Sequence, residues 1–267
     1  MKNKKITSIE NKRLKDLIKL SKKSKFRNKT DLFIVEGVKE INASIENNYS
    51  IKSFFYDPTI IELKKINIPI DTEVIEVPSN IYKKISFRSS TEGVIAVVKR
   101  KNYTKEKIKI NNKKVVLILD GIEKPGNIGA ILRTSQASNV DTIIITNKKC
   151  DIHNPNVIRS SVGSFFKTKI IYLENNEALE FLKKNKFKIY ASSLNADKIY
   201  LNENYNFPIA LVFGSENEGI SKFWEENSDI KIKIPMDNDI DSLNVSVSCA
   251  IILYEINRQS KFGLSSS

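Results

Sequence analysis

Apolar residues recur along this chain in two alternating rhythms, one of helical and one of strand spacing. Ile9, Leu14, Leu17, Ile18 and Leu20 fall close to helical spacing with lysines between them, which predicts an amphipathic helix over residues 9–20 with a basic outer face. A short apolar run, Leu32 to Val35, comes next. It is followed by a helical stretch over Val38 to Asn47 and by strand-like Ile51 to Tyr56, which ends at Asp57-Pro58. The pattern then predicts a helix near 59–65, a strand over Glu73 to Val77, a helix capped by Ser79 and running through Ile85, and a strand over Gly93 to Val98. These elements make one small α/β domain over residues 1–100. Residues 99–114, KRKNYTKEKIKINNKK, have little apolar content besides Ile108 and Ile110. They read as a basic connection, with the linker proper at 101–113.

Val115 to Leu119 is a continuous apolar run, as expected of a strand covered on both faces. Val115 to Leu119, Thr142 to Thr146, Phe187 to Ala191, Ile209 to Phe213 and Ile230 to Ile234 read as strands. Helical stretches at Asn127 to Ser138, 156–161, 176–184, 221–226 and 243–258 separate or follow them. Strands that alternate with helices predict a parallel sheet with helices on both faces, placing the second domain at 114–267. The tail GLSSS is expected to fray.

Composition narrows the chemistry. The 267 residues carry 44 basic and 31 acidic side chains, a formal charge of +13. Lysine outnumbers arginine 37 to 7, beside 40 isoleucines and 28 asparagines, a bias that an AT-rich genome produces whatever the function. Distribution is more telling. Residues 1–30 hold 12 basic and 2 acidic side chains, and residues 99–114 hold 8 and 1, whereas the last 67 residues hold 5 and 10. Such segregation is an electrostatic footprint for a polyanion; solvated helix faces are the bland alternative. No apolar run reaches the roughly 18 residues of a membrane span, and no apolar segment follows the basic start, so a cytoplasmic location without membrane partners is expected. Cys150 and Cys249 are too few for a disulfide framework and are expected reduced and partly buried. With His153 as the one histidine, multi-histidine metal sites are excluded and no metal is expected.

Ligands of open α/β sheets sit beyond the carboxyl ends of strands, and three loops there are chemically unusual. The first reads DGIEKPGNIGAILRTSQASNV: Pro125-Gly126 forces a turn, Asn127 can cap the helix, and Arg133 follows in a stretch of small and apolar residues. A guanidinium there is costly unless it meets an anion or carboxylate, so it either binds a ligand or pairs with Glu123 or Glu216. The second reads GSENEG, with Gly214 and Gly219 bracketing two carboxylates; it lacks the GK[ST] ending of a P-loop, and no G-x-G-x-x-G follows any strand. In the third, IPMDNDIDSLNVSV, Ser242 and Asn244 flank Leu243 at a helix start, where they hold a ligand or simply cap the helix.

Taken in order, N-I-G-A-I-L-R, F-G-S-E-N-E-G-I-S and I-P-M…S-L-N-V-S-V resemble the three motifs of the SpoU family of ribose 2′-O-methyltransferases, in the SPOUT superfamily. The intermediate NPNVIRSSVGSFF is similar to that family's N-P-x-V-x-R-x-S-x-G element. The first domain, from its ITSxxN-like start through LFIVEG to TEGVIAVV, resembles the substrate-binding domain many of these enzymes carry. The resemblance implies an α/β fold whose C-terminal SPOUT-type parallel-sheet domain holds a deep trefoil knot, an exception to the rule against threading. It also implies a homodimer, S-adenosyl-L-methionine as methyl donor, and RNA as substrate, with 23S ribosomal RNA ahead of transfer RNA. Gly214, Ile234 and Leu243 match its cofactor-contact positions, with Met236 and Ser246 nearby. Asn127, Arg133, Glu216, Ser242 and Asn244 match its catalytic and active-site polar positions. Arg133 acts there either as a base, surprising for a group whose free pKa exceeds about 12, or by positioning phosphate and hydroxyl. The basic Lys22, Lys23, Lys25 and Arg27 are expected RNA contacts, and Arg159 either holds the RNA backbone or makes a structural pairing; Glu218 and His153 receive no role. An antibiotic-resistance methyltransferase shares the motifs, and an RNA-binding or ribosome-assembly protein without catalysis is the alternative of another class.

Overall fold

The computed structural model describes residues 3–70, 72–87, 92–111, 114–237 and 242–262. Thr91 of TEGVIAVV, Asn112 and Lys113 of the linker, residues 238–241 of the third loop and the tail 263–267 lie outside the described residues. The chain divides into two compact units. One comprises Met1–Lys101 with Asp151–Lys167, the other Asn102–Cys150 with Thr168–Ser267.

In the first unit, β1 (Asn3–Lys5), α1 (Lys12–Lys22), α2 (Ser24–Thr30), β2 (Leu32–Glu36), α3 (Val38–Glu46), β3 (Ile51–Tyr56), β4 (Glu73–Glu76), α4 (Ser79–Ile85) and β5 (Val94–Lys99) form a mixed five-stranded sheet with flanking helices, in the order β1-β4-β3-β5-β2. Asn11 caps α1 by accepting the Arg13 N–H at 3.0 Å, so the helix begins at Lys12 rather than at residue 9. Leu14, Leu17 and Leu20 pack with Ile34, Ile75, Tyr82 and Ile95 in one core. The helix expected at 59–65 is reduced to a single turn at Asp57–Ile61 and a 3-10 turn at Leu63–Lys65. The β-branched run Thr59-Ile60-Ile61 is a poor helix former. Pro78 holds the cap position of α4, so Ser79 is its first residue and not its cap.

The second unit contains β6 (Val115–Asp120), α5 (Pro125–Ala137) and β7 (Thr142–Thr146). After α6 (Pro155–Ser160), which lies in the first unit, it continues with β8 (Lys169–Tyr172), α7 (Asn175–Lys184), β9 (Lys188–Ser192), β10 (Lys198–Ile199), β11 (Ile209–Phe213), α8 (Lys222–Asn227), β12 (Ile230–Lys233) and α9 (Val245–Phe262). Its seven strands pair in the order β10-β12-β9-β11-β6-β7-β8, and every pairing is parallel. Short β1 and β10 have no apolar run and carry no strand signal in the sequence, whereas β8 lies in the short apolar run Ile170 to Leu173. Val116, Ile118, Ile144, Ile189, Ala210 and Val212 meet α7 and α8 on one face of this sheet. Neither cysteine is in a disulfide, and both are buried, deeper than expected.

Residues 151–167 follow the strand–helix rhythm of the second half yet belong to the first unit, for two physical reasons. Phe165, Phe166 and His153 pack with Phe33 of β2 and with Tyr49; the His153 and Phe33 ring centroids are 4.8 Å apart. Beside them Arg27 Nε donates to Asp151 Oδ2 at 2.7 Å, and Arg27 Nη1 donates to the Leu20 and Ser21 carbonyls. Burial pushes the Asp151 carboxyl up, but His153 and Arg27 outweigh it and hold the group well below the usual carboxylate range. Burial likewise lowers the His153 imidazole, against the pull of Asp151. His153 is thus a neutral member of an aromatic cluster.

Breaking a buried pair strands a charge. Asp151→Ala and Arg27→Met are each expected to lower the stability of the full chain by about 3–5 kcal/mol in denaturant unfolding. Because the folded carboxyl is depressed, its contribution is present above the unfolded value of about 3.9 and is lost as pH falls through and below it. Acid titration of the Asp151→Asn variant should lack that component.

Candidate active site

The edge of the second sheet where β6, β7 and β11 end is organised by one buried carboxylate. Asp120, the last residue of β6, is 2% exposed. Its Oδ1 accepts from Asn147 Nδ2 at 2.6 Å and Thr146 Oγ1 at 3.1 Å, and its Oδ2 accepts the Ser221 N–H at 2.7 Å. It forms no ion pair among the described residues. One side chain therefore ties the loop after β7 and the exit of the GSENEG turn to the loop that enters α5. Hydrogen bonds to a buried charge are worth about 1.5–3 kcal/mol each. Sequence reasoning missed Asp120; the available signal was a carboxylate closing an apolar strand just before Gly121.

The GSENEG turn is a hairpin closed by the Ser215 N–H to Gly219 O at 2.9 Å and its reciprocal at 3.0 Å. Ser215 Oγ accepts the Glu218 N–H at 3.1 Å, and Gly219 takes φ +70°, which favours glycine. Gly214 is required for a different reason: a Cβ there would overlap the backbone of Gly219 and Ile220.

Against this turn lies a polar chain drawn from three elements. The helix α5 begins at Pro125, a favoured first residue, with Lys124 in the cap position. Asn127 is consequently not the cap expected from the sequence, and its amide is free to act elsewhere. Its Nδ2 donates to Glu216 Oε1, and its Oδ1 accepts from Asn244 Nδ2 at 3.1 Å. Asn244 also caps α9, its Oδ1 accepting the Ser246 N–H at 2.9 Å and Ser246 Oγ at 2.7 Å. The two readings of Ser-Leu-Asn, cap and site, hold together in Asn244.

Glu216 also lines a cleft of about 340 Å³, within the range of small-molecule sites. Gly214, Ile234, Met236, Ser242 and Leu243 line the same cleft. Apolar and half-buried, Ile234, Met236 and Leu243 offer it a greasy wall, while the strand ends supply backbone N–H and C=O groups.

Arg133 stands apart. Six residues beyond Asn127 it leaves α5 on another face, is exposed, does not line the cleft and makes no ion pair among the described residues. The partners proposed for it are engaged otherwise, Glu216 with Asn127 and Glu123 with Lys149. Its guanidinium faces water, so the expected desolvation cost does not arise in the single chain.

Arg27, read from the sequence as an RNA contact, is 2% exposed and fixed to Asp151; its role is structural. Lys22, Lys23 and Lys25 are exposed without ion pairs among the described residues, and so is Arg159, on α6. Three lysines of the basic connection are engaged within the protein, Lys101 with the Asn47 carbonyl, Lys105 with Glu177 and Lys114 with Asp141. No group of three or more His, Cys, Asp or Glu is placed to hold a metal, and no helix is long and apolar enough to cross a membrane, among the described residues.

Comparison with known proteins gives concordant results. The model of the SpoU rRNA Methylase family matches residues 114–254, and that of the MRM3-like substrate binding domain matches residues 11–96. The chain is 26% identical over 257 residues to the 23S rRNA (guanosine(2553)-2'-O)-methyltransferase RlmP of Bacillus subtilis, covering 95% of this chain and 99% of that protein. Two other curated relatives align at 41% and 36% identity, but the chain covers only 64% and 58% of their length. A crystal structure of an RNA 2'-O ribose methyltransferase superimposes with a TM-score of 0.84 at 30% identity, covering 96% of this chain and 99% of that one. The fold is also that of the SpoU methyltransferase AviRb from Streptomyces viridochromogenes in complex with AdoMet, with a TM-score of 0.87 at 23% identity, covering 94% and 99%.

Two substitutions test the architecture of this edge. Gly214→Ala is expected to destabilise the second unit by at least the 1–3 kcal/mol typical of overpacking, measured by thermal unfolding. Asp120→Asn preserves shape but presents a donor where three donors converge. It should leave the fold intact while raising hydrogen exchange at the Ser221 amide at least about tenfold, in line with one lost charged hydrogen bond.

Proposed function

The chain belongs to the SpoU rRNA methylase family, and on that premise we propose that it transfers a methyl group from S-adenosylmethionine to a ribose 2′-hydroxyl of RNA, with 23S ribosomal RNA as the substrate. The observation that carries this reading is the hydrogen-bonded chain Asn244–Asn127–Glu216, which ends on the wall of a cleft with an apolar side. Such a donor set fits the cofactor: Ile234, Met236 and Leu243 can pack its apolar surfaces, and the backbone at Gly214 can approach it without a side chain intervening. When bound, the sulfonium supplies an activated methyl group.

The chain's own residues then have to bind and orient. Glu216, held by Asn127, fixes the polar end of the cleft, and Asn244 with Ser242 shapes its rim. Arg133 presents a planar fork of donors, so its role is to hold the RNA phosphate and the 2′-oxygen in line and to stabilise negative charge that develops there as the proton leaves. Since Arg133 points away from the cleft of its own chain, the reading includes a homodimer in which each chain completes the site of the other. Support comes from α9, where Val247 and Tyr254 are 46% and 55% exposed and, with half-buried Ile251, form an apolar stripe at i, i+4, i+7. The same reading assigns the trefoil knot to the second unit. The position of the late strand β11 between β6 and β9, in the middle of the sheet, suits it. Exposed Lys22, Lys23 and Lys25 with Arg159 supply RNA affinity from the first unit through phosphate contacts, and such a substrate places the protein in the cytoplasm.

Arg133→Ala is expected to reduce methyl incorporation into unmodified 23S ribosomal RNA by at least about a hundredfold, with fold and dimer unchanged. Mixing it with inactive Glu216→Ala should restore about one quarter of wild-type activity, since half of randomly paired dimers then hold one intact site. Full activity of Arg133→Ala defeats the assignment, and no recovery on mixing defeats the shared site.

A further inference from the structure

Tyr172 closes β8, the edge strand of the second sheet, and its side chain is 37% exposed. Phe213, Leu119, Ile145 and Tyr172 pair in register straight across β11, β6, β7 and β8. Parallel neighbours in register project to the same face, so Tyr172 ends the row that begins with the residue before Gly214. At about 4.8 Å per strand, the two ends of that row are about 14 Å apart, within reach of nucleotides adjoining one held at the cleft.

The loop after β7 runs beside this ring. Lys148 Nζ stands 4.3 Å from the Tyr172 ring centroid, a cation–π distance. Lys149 is shared between Glu123 at 2.8 Å and Glu218 at 3.2 Å, and thereby links this loop to the first two motif loops. Lys124 and Lys148 are exposed and form no ion pair among the described residues. Asp120 holds Asn147, the residue before Lys148, so the loop is anchored to the same carboxylate that organises the cleft. An exposed aromatic ring beside a lysine that has no carboxylate partner among the described residues suits single-stranded nucleic acid, the ring stacking a base and the lysine meeting a phosphate. It sits at the edge of the sheet that carries the reaction.

We propose that Tyr172 and Lys148 form a binding subsite for single-stranded substrate RNA flanking the nucleotide to be methylated. Tyr172 stacks one base, and Lys148 leaves the ring for the adjoining phosphate. The inference rests on the reading of the protein as an RNA methyltransferase, but the subsite binds RNA whether or not a methyl group is transferred.

The test uses the full chain, unmodified 23S ribosomal RNA and a fluorescent single-stranded oligouridine. Tyr172→Leu, which keeps an apolar group at the sheet edge, should raise the RNA KM and weaken oligouridine binding about tenfold, as loss of one stacked base does. In contrast, kcat should stay within about twofold and S-adenosylmethionine binding should not change, because the cleft is untouched. Tyr172→Phe and Tyr172→Trp should restore wild-type values. Lys148→Ala should weaken binding severalfold and reduce the slope of log affinity against log salt by about one. Unchanged RNA KM and oligouridine affinity in Tyr172→Leu overturns the proposal, as does failure of Tyr172→Phe to rescue. A wild-type chain that binds oligouridine through Tyr172 but transfers no methyl group refutes the functional reading and leaves the subsite standing.

Discussion

Because all seven strands of the second sheet run in one direction, every loop that follows a strand emerges at the same edge. That constraint lets a single carboxylate on β6 reach both the loop after β7 and the turn after β11. Asp120 does so with three hydrogen bonds and no counter-charge among the described residues, leaving its two oxygens saturated by neutral donors. The bond between Asn127 and Glu216 depends on the same arrangement, since it needs the loops after β6 and β11 side by side. The row that ends in Tyr172 follows from it as well.

Charge in this protein divides into what faces water and what is used internally. The excess of +13 suggests a uniformly basic surface, yet Arg27, Lys101, Lys105 and Lys114 are occupied with protein partners. The buried Arg27–Asp151 pair is of particular consequence because it joins two stretches 124 residues apart in sequence. It recruits residues 151–167 to the first unit, and Arg159 with them. An arginine that the sequence places between the first and second motifs is thereby carried by the unit that holds α1 and α2.

Elements with strong periodicity were legible from the sequence. β2, β6, β7 and β11 begin and end within a residue or so of their apolar runs, because a strand buried on both faces admits few polar residues. Short β1 and β10 were not legible, since they owe their conformation to a neighbouring strand and not to their own composition. In the site, the residue types and their order were legible, but their pairings were not. Asn127 looked like a cap until Pro125 started the helix two residues earlier, and Arg133 looked buried because its neighbours in sequence are small and apolar.

The sequence by itself determined the α/β alternation, the basic start and the three motifs, because periodicity, charge and short spacings are local properties that each segment carries alone. Tertiary structure decided that Arg27 is structural, that Asp120 anchors the loop edge of the second sheet, that Asn127 bonds Glu216 and Asn244, and that Tyr172 stands in register with Phe213. These facts concern residues far apart along the chain, brought together by parallel pairing and burial. Hydrogen-bond satisfaction inside a packed fold then selects among the partners that the sequence leaves open.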